Sequence, residues 1–145
     1  MHHHMFQKSL AAIAAGALAV TSLAVLPSFS ASAASTILSS DFSNGTSGWS
    51  TYKASGGSCS MGVENGKLAL TVNSVGTLNY SVQVGYDVVP LYQNGVYRLK
   101  YDISSTEDCT VEQMIQQNGG TYQAYTWKGL DLTAETQTVD YTFTM

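Results

Sequence analysis

The stretch Gly95-Val96-Tyr97-Arg98-Leu99-Lys100-Tyr101-Asp102-Ile103 alternates large apolar residues with charged ones at every second position. In a β-strand successive side chains point to opposite faces, so Tyr97, Leu99, Tyr101 and Ile103 share one face and Arg98, Lys100 and Asp102 share the other. A helix would scatter the same residues around its axis. The run begins at Asn94-Gly95, a pair that favours a tight turn. It reads as a strand of an antiparallel sheet with one face on a core and one in water.

The same pattern recurs outward in both directions. Leu68, Leu70 and Val72 alternate with Lys67, Ala69, Thr71 and Asn73 after the Glu64-Asn65-Gly66 turn, and Val139, Tyr141 and Phe143 alternate with Asp140, Thr142 and Thr144. No window carries a sustained helical period, so the expected fold is all-β, an antiparallel β-sandwich. Two further strands, at 80–87 and 111–117, differ in their second face. The apolar sets are Tyr80, Val82, Val84 and Tyr86 in the first and Val111 and Ile115 in the second. Opposite them stand Ser81, Gln83, Gly85 and Asp87, and Glu112, Met114 and Gln116. Amides, carboxylates, a glycine and a methionine can line a shallow polar groove, whereas a solvated sheet usually shows Lys and Thr. Gln113 falls on the inward face by parity, where its amide needs partners.

The beginning of the chain reads as an export signal. His2, His3, His4 and Lys8 form the polar start, residues 10–26 are apolar and rich in alanine, and Ala31-Ser32-Ala33 supplies the small residues of a cleavage site. Residues 1–34 are therefore expected to be a signal peptide and residues 35–145 a single secreted β-sandwich domain, with no membrane association after cleavage. The apolar run lies at the short limit for a bilayer span and no Lys/Arg cluster follows it. Ten acidic residues against six basic ones, net charge −4, argue against a nucleic-acid partner, because phosphate binding needs clustered Lys and Arg. Cys59 and Cys109 leave two readings open in an oxidising compartment, one disulfide or two free thiols.

Catalysis has little to work with. All three histidines lie at positions 2–4, so nucleophilic systems that need a histidine base are absent from 35–145. Asp87 and Glu112 share the groove face, but a domain of this size encloses a substrate poorly. Aromatic residues speak more clearly. Trp49, Tyr52, Tyr122, Tyr125 and Trp127 sit in or beside Gly-, Asn- and Ser-rich segments. A sugar ring laid on an exposed aromatic ring removes apolar surface of both from water, contributing roughly 1–2 kcal/mol. Trp49 is instead expected to cap the core.

In its order of motifs the chain resembles the family 4 and 9 carbohydrate-binding modules found beside cellulases and xylanases. The motifs are Asp41-Phe42, Asn44-Gly45, Gly48-Trp49, Val88-Val89-Pro90-Leu91, Gly95-Val96-Tyr97-Arg98-Leu99, Gln116-Gln117-Asn118-Gly119-Gly120-Thr121-Tyr122 and Tyr141-Thr142-Phe143-Thr144-Met145. The resemblance implies a jelly roll with a concave binding cleft, flanked by Tyr52 and Tyr122 and floored at Asp87, Glu112 and Asn118. That floor agrees with the face set by alternation, which adds Gln83 and Gln116. The resemblance also implies a structural calcium in the intact parent, with Asp41 and the backbone of Gly66 at the positions of two of its ligands. Ser43 stands where the family usually has an acid. Glu112 stands where some cellulose-binding members have a base. The family continues with further strands, so the domain is expected to be incomplete at its C-terminus.

Together these readings give a non-catalytic module that binds polysaccharide, β-1,4-glucan (amorphous cellulose) or xylan, and keeps a glycoside hydrolase of the same parent chain on its polymer. The competing reading is a cell-surface or adhesion module of the same fold that binds glycans or proteins without serving an enzyme.

Overall fold

The computed structural model of the protein describes residues 11–15, 18–23 and 34–145, and every regular element among them is a strand. In chain order these are β1 (Ala11–Ala15), β2 (Leu18–Leu23), β3 (Ser35–Ser40), β4 (Trp49–Lys53), β5 (Gly57–Glu64), β6 (Lys67–Val75), β7 (Val82–Tyr86), β8 (Val96–Ser105), β9 (Cys109–Gln116), β10 (Ala124–Leu132) and β11 (Gln137–Thr144). β1 and β2 fall inside the apolar run read as part of an export signal. The remainder of that reading, including His2, His3, His4, Lys8 and Ala31-Ser32-Ala33, lies outside the described residues.

The larger layer is a sheet in the order β3-β2-β8-β1-β6-β5, with β11 on the other edge of β8. β8, the strand read first from the sequence, is its longest element and pairs with β11 through eight consecutive positions, from Ile103–Gln137 to Val96–Thr144. Two smaller pairs, β4–β7 and β9–β10, form the second layer. Both cover the same face of the large sheet. The ladder runs from Leu68 through Ala15 to Ile103, so the inward sets of β6 and β8 lie on one side. Val82 and Val84 of β7 pack on Cys59, Leu70 and Val72, while Val111, Ile115 and Leu130 of β9 and β10 pack on Tyr97, Leu99, Tyr101 and Ile103. The architecture is thus the expected all-β sandwich.

Strand parity holds in the core. Tyr97, Leu99, Tyr101, Ile103, Val139 and Phe143 are buried, while Arg98 and Asp140 meet in a two-pronged pair on the opposite face, with Arg98 Nε donating to Asp140 Oδ1 at 2.6 Å. The inward Gln113 finds its partner: the Tyr141 hydroxyl donates to Gln113 Oε1 at 2.7 Å and accepts from Thr126 Oγ1 at 3.2 Å. Trp49 behaves as the expected cap. Its ring lies 5.7 Å from Phe42 and edge-on to Tyr86 at 5.6 Å, and its indole N–H donates to Ser40 Oγ. Cys59 and Cys109 are free thiols, the second donating to Ser105 Oγ at 3.4 Å.

Tyr101 is the exception to polar satisfaction. Its hydroxyl is buried without a hydrogen-bond partner among the described residues, and burial, with Tyr141 adding to it, raises its phenol pKa. A buried unpaired hydroxyl costs about 1–3 kcal/mol in desolvation. Tyr101→Phe is therefore expected to leave stability unchanged or to raise it by about 1 kcal/mol, measured as the denaturant midpoint. A loss of about 2 kcal/mol or more would show that the hydroxyl has a partner after all.

Candidate functional site

The second layer turns its inner side chains onto the core, so its outer face is free for recognition. On β4–β7 that face carries Ser50 and Tyr52 opposite Gly85 and Gln83. On β9–β10 it carries Glu112, Met114 and Gln116 opposite Gly129, Trp127 and Ala124. All of these are exposed, including the large groups Tyr52 at 54% and Trp127 at 57% of full accessibility, and Tyr122 in the β9–β10 loop is exposed at 61%. Exposed aromatic side chains on a half-buried sheet leave apolar surface in water, which is the condition a stacking ligand relieves.

Local hydrogen bonds hold the polar members in place. Asp87, just beyond β7, accepts from Ser50 Oγ at 2.5 Å, and its N–H donates to the Gly48 carbonyl at 3.0 Å. Gly48 adopts φ +80, and a Cβ there would stand 2.5 Å from the Tyr86 ring, so the Gly48-Trp49 pair lets the turn close against that ring. Asn118 donates its amide N–H to the Asp87 carbonyl at 3.2 Å, tying the β9–β10 loop to the end of β7. Gln83 donates to the Tyr80 carbonyl at 3.0 Å. Their free oxygens remain as acceptors, and Glu112 and Gln116 stay exposed on β9. Tyr122 projects from that loop at φ +52, with its N–H on the Gly119 carbonyl.

Of the residues expected from sequence, Tyr52 and Gln83 are brought directly opposite one another, Asp87 and Asn118 are bonded, and Glu112 and Gln116 share a strand face. Two strand limits move: the stretch read as 80–87 is ordered as β7 only over Val82–Tyr86, with Tyr80 exposed in the preceding turn, and the stretch read as 111–117 begins two residues earlier, at Cys109. Strand β10 escaped the alternation reading because Lys128, on the inward side by parity, reaches out over the Tyr141 ring at 4.4 Å. Gly129 is therefore missing from the groove face that alternation implies, and Trp127 is expected only as an exposed ring without a place on a strand. The signal that could have found them is Thr126, Leu130 and Leu132, which keep the inward period on either side of Lys128.

The two positions implied for calcium do not form a metal site on their own. Asp41 Oδ1 already accepts from the Ser43 N–H at 3.0 Å and hydroxyl at 2.7 Å, which holds its carboxyl below the usual carboxylate range. Gly66 lies in the β5–β6 turn. Among the described residues no group of three or more His, Cys, Asp or Glu is placed to hold a metal ion. Ca²⁺ takes six to eight oxygens, more than these two residues offer.

A family model described as a carbohydrate binding domain, CBM_4_9, matches residues 34–145. Endoglucanase C of Cellulomonas fimi is 33% identical over 127 residues, covering 88% of this chain and 11% of that protein. A cellulose 1,4-beta-cellobiosidase of Acetivibrio thermocellus is 34% identical over 108 residues, covering 67% of this chain and 12% of that protein. The chain thus spans about a tenth of the length of either relative. A solved structure described as "CBM4 structure and function" superposes with a TM-score of 0.64 at 24% identity, over 72% of this chain and 71% of that one. At that identity the superposition speaks for the fold, a jelly-roll sandwich.

Proposed function

The chain belongs to the family 4/9 carbohydrate-binding modules, and from that premise we propose that its exposed second-layer face binds single chains of β-1,4-linked glucan. The observation that carries this reading is the face itself: Tyr52 and Tyr122 are exposed, and the side-chain oxygens of Gln83, Asp87, Glu112, Gln116 and Asn118 lie on the same layer or its loops. Aromatic rings supply stacking for sugar C–H faces, and the amides and carboxylates supply acceptors for sugar hydroxyls. The glucan linkage is favoured over xylan by the two relatives, an endoglucanase and a cellulose 1,4-beta-cellobiosidase.

The module acts by binding. Asp87 and Glu112 stand on an open face, and Asp87 is engaged by Ser50, so neither is enclosed as general acid–base work requires. In the parent polypeptide it holds a glycoside hydrolase near its polymer outside the cell, raising the enzyme's effective concentration there. The small share of each relative that this chain covers supports such a modular arrangement.

Affinity electrophoresis in gels containing hydroxyethyl cellulose, mixed-linkage glucan, xylan or laminarin tests the reading. Retardation by the first two is expected, and retardation by xylan or laminarin alone would overturn the linkage assignment. Tyr52→Ala and Tyr122→Ala are each expected to weaken binding about tenfold, about 1.4 kcal/mol, with an unchanged denaturant midpoint, since both rings project into solvent. Unchanged affinity in both variants would place the binding face elsewhere.

A further inference from the structure

Two glycines on the exposed face occupy positions where a strand would ordinarily carry a side chain. Gly85 of β7 lies opposite Ser50, and Gly129 of β10 lies opposite Glu112. Neither has a left-handed backbone, and nothing stands within 4 Å of where a Cβ would be built on either one. The fold therefore requires glycine at neither place, and glycine inside a strand weakens it. Beside Gly129 on the same face, two positions along β10, stands Trp127, whose direct cross-strand neighbour is Met114. Both are exposed, at 57% and 40%. A bare backbone next to a solvent-facing indole and a thioether is a step with a flat apolar side. Gly85 has a matching neighbour in Gln83, itself opposite Tyr52.

We propose that Gly85 and Gly129 are the floor of the binding face, kept bare so that pyranose rings can lie against the strand backbone, and that Trp127, supported by Met114, is the stacking platform beside that floor. This rests on the glycan-binding reading and sharpens it by assigning residues that select for ligand shape. An unbranched chain can settle onto the bare backbone. A chain with bulky substituents on successive rings is held off by its own side groups, and charged or small ligands gain nothing from Trp127. The physical reason is contact area: dispersion and apolar burial fall off steeply once a gap opens between ring and surface.

The test uses Gly85→Thr, Gly129→Thr and Trp127→Ala in the full chain, with Gly62→Thr as control. Gly62 lies on β5 in the other layer and likewise has nothing within 4 Å of a built Cβ. Denaturant midpoints and calorimetric titration with cellohexaose are measured for each. The two floor variants are expected to be at least as stable as the parent, because threonine suits a strand better than glycine, yet to bind cellohexaose at least tenfold more weakly. Trp127→Ala is expected to lose about tenfold, and Gly62→Thr to bind as the parent does. Iodide quenching adds an independent readout: of the two tryptophans only Trp127 is exposed, so ligand should shield the parent's fluorescence and leave that of Trp127→Ala unchanged. Parental affinity in both threonine variants, with the parent itself binding, overturns this assignment alone. A parent that binds none of the glycans overturns the binding reading and this one with it.

Discussion

Gly76→Ala is expected to lower the stability of the protein by about 2–4 kcal/mol, or roughly 6–20 °C in Tm for a domain of this size. Gly76 follows β6 with φ +73, a conformation that L side chains adopt at a cost of about 1–2 kcal/mol. A Cβ there would lie 2.4 Å from Ser81 Cβ and 2.8 Å from the Gly57 nitrogen. Neither neighbour is free to move. Ser81 is fully buried, its carbonyl accepts from the Ala54 N–H at 2.9 Å, and its hydroxyl accepts from the Leu78 N–H at 3.0 Å. Forcing a methyl group into such a corner adds about 1–3 kcal/mol of overpacking to the backbone strain. The corner also joins the end of β4 to the start of β7, and so fixes Tyr52 and Gln83 relative to the core. Differential scanning calorimetry decides the matter, and a Tm within a few degrees of the parent's would show that the corner yields more readily than its hydrogen bonds imply.

That corner also shows what a sequence reveals and what it hides. Alternation found β8 and β11 because each has one face in water and one on a core, so that a period of two is written directly into residue type, and it found β6 although its outward Ala69 is also buried. It found the exposed polar side of β7 and β9 for the same reason, since Gln83, Glu112 and Gln116, with Asp87 just beyond β7, follow that period. β4 and β10 were hidden. Their exposed faces carry Tyr52 and Trp127, so apolar residues stand on both sides and the contrast that marks a strand disappears. The blurred pattern and the exposed aromatic surface thus have one cause. Gly76 and Gly85 look alike in sequence, yet one is required by φ and crowding and the other stands in open space. Only the fold separates a glycine that the backbone needs from one that a ligand can use. The partner of Gln113 was equally out of reach, because Tyr141 comes from β11, 28 residues along the chain and in the other layer.

The largest effect is expected from removing residues 1–33. β1 and β2 lie inside the large sheet, pairing with β8 on one side through Ile13–Ser105 and Val20–Leu99, and on the other side with β6 through Ile13–Leu70 and with β3 through Val20–Leu38. A chain cut after Ala33 or Ala34, as the export reading expects, loses both strands, so removal of the signal and a sheet completed by β1 and β2 are alternatives that this variant separates. β8 then keeps β11 but presents a bare edge along Val96–Ser105, while β6 and β3 are detached from it. Each ladder hydrogen bond contributes about 0.5–1.5 kcal/mol, so pairing lost along three strands is comparable to a domain's whole stability of about 5–15 kcal/mol. Unpaired edges also recruit other strands. Residues 34–145 produced alone are therefore expected to unfold at much lower denaturant than the full chain, or to self-associate, with fast amide exchange at the β6 and β8 positions that faced β1 and β2. Peptides covering β1 and β2 added in trans are expected to restore protection at those amides, because the places they refill are defined by backbone pairing on both sides. A monomeric 34–145 with the full chain's midpoint and slow exchange along β8 would show that the sheet closes by bringing β6 and β3 directly onto β8, and that the two N-terminal strands add nothing to the folded domain.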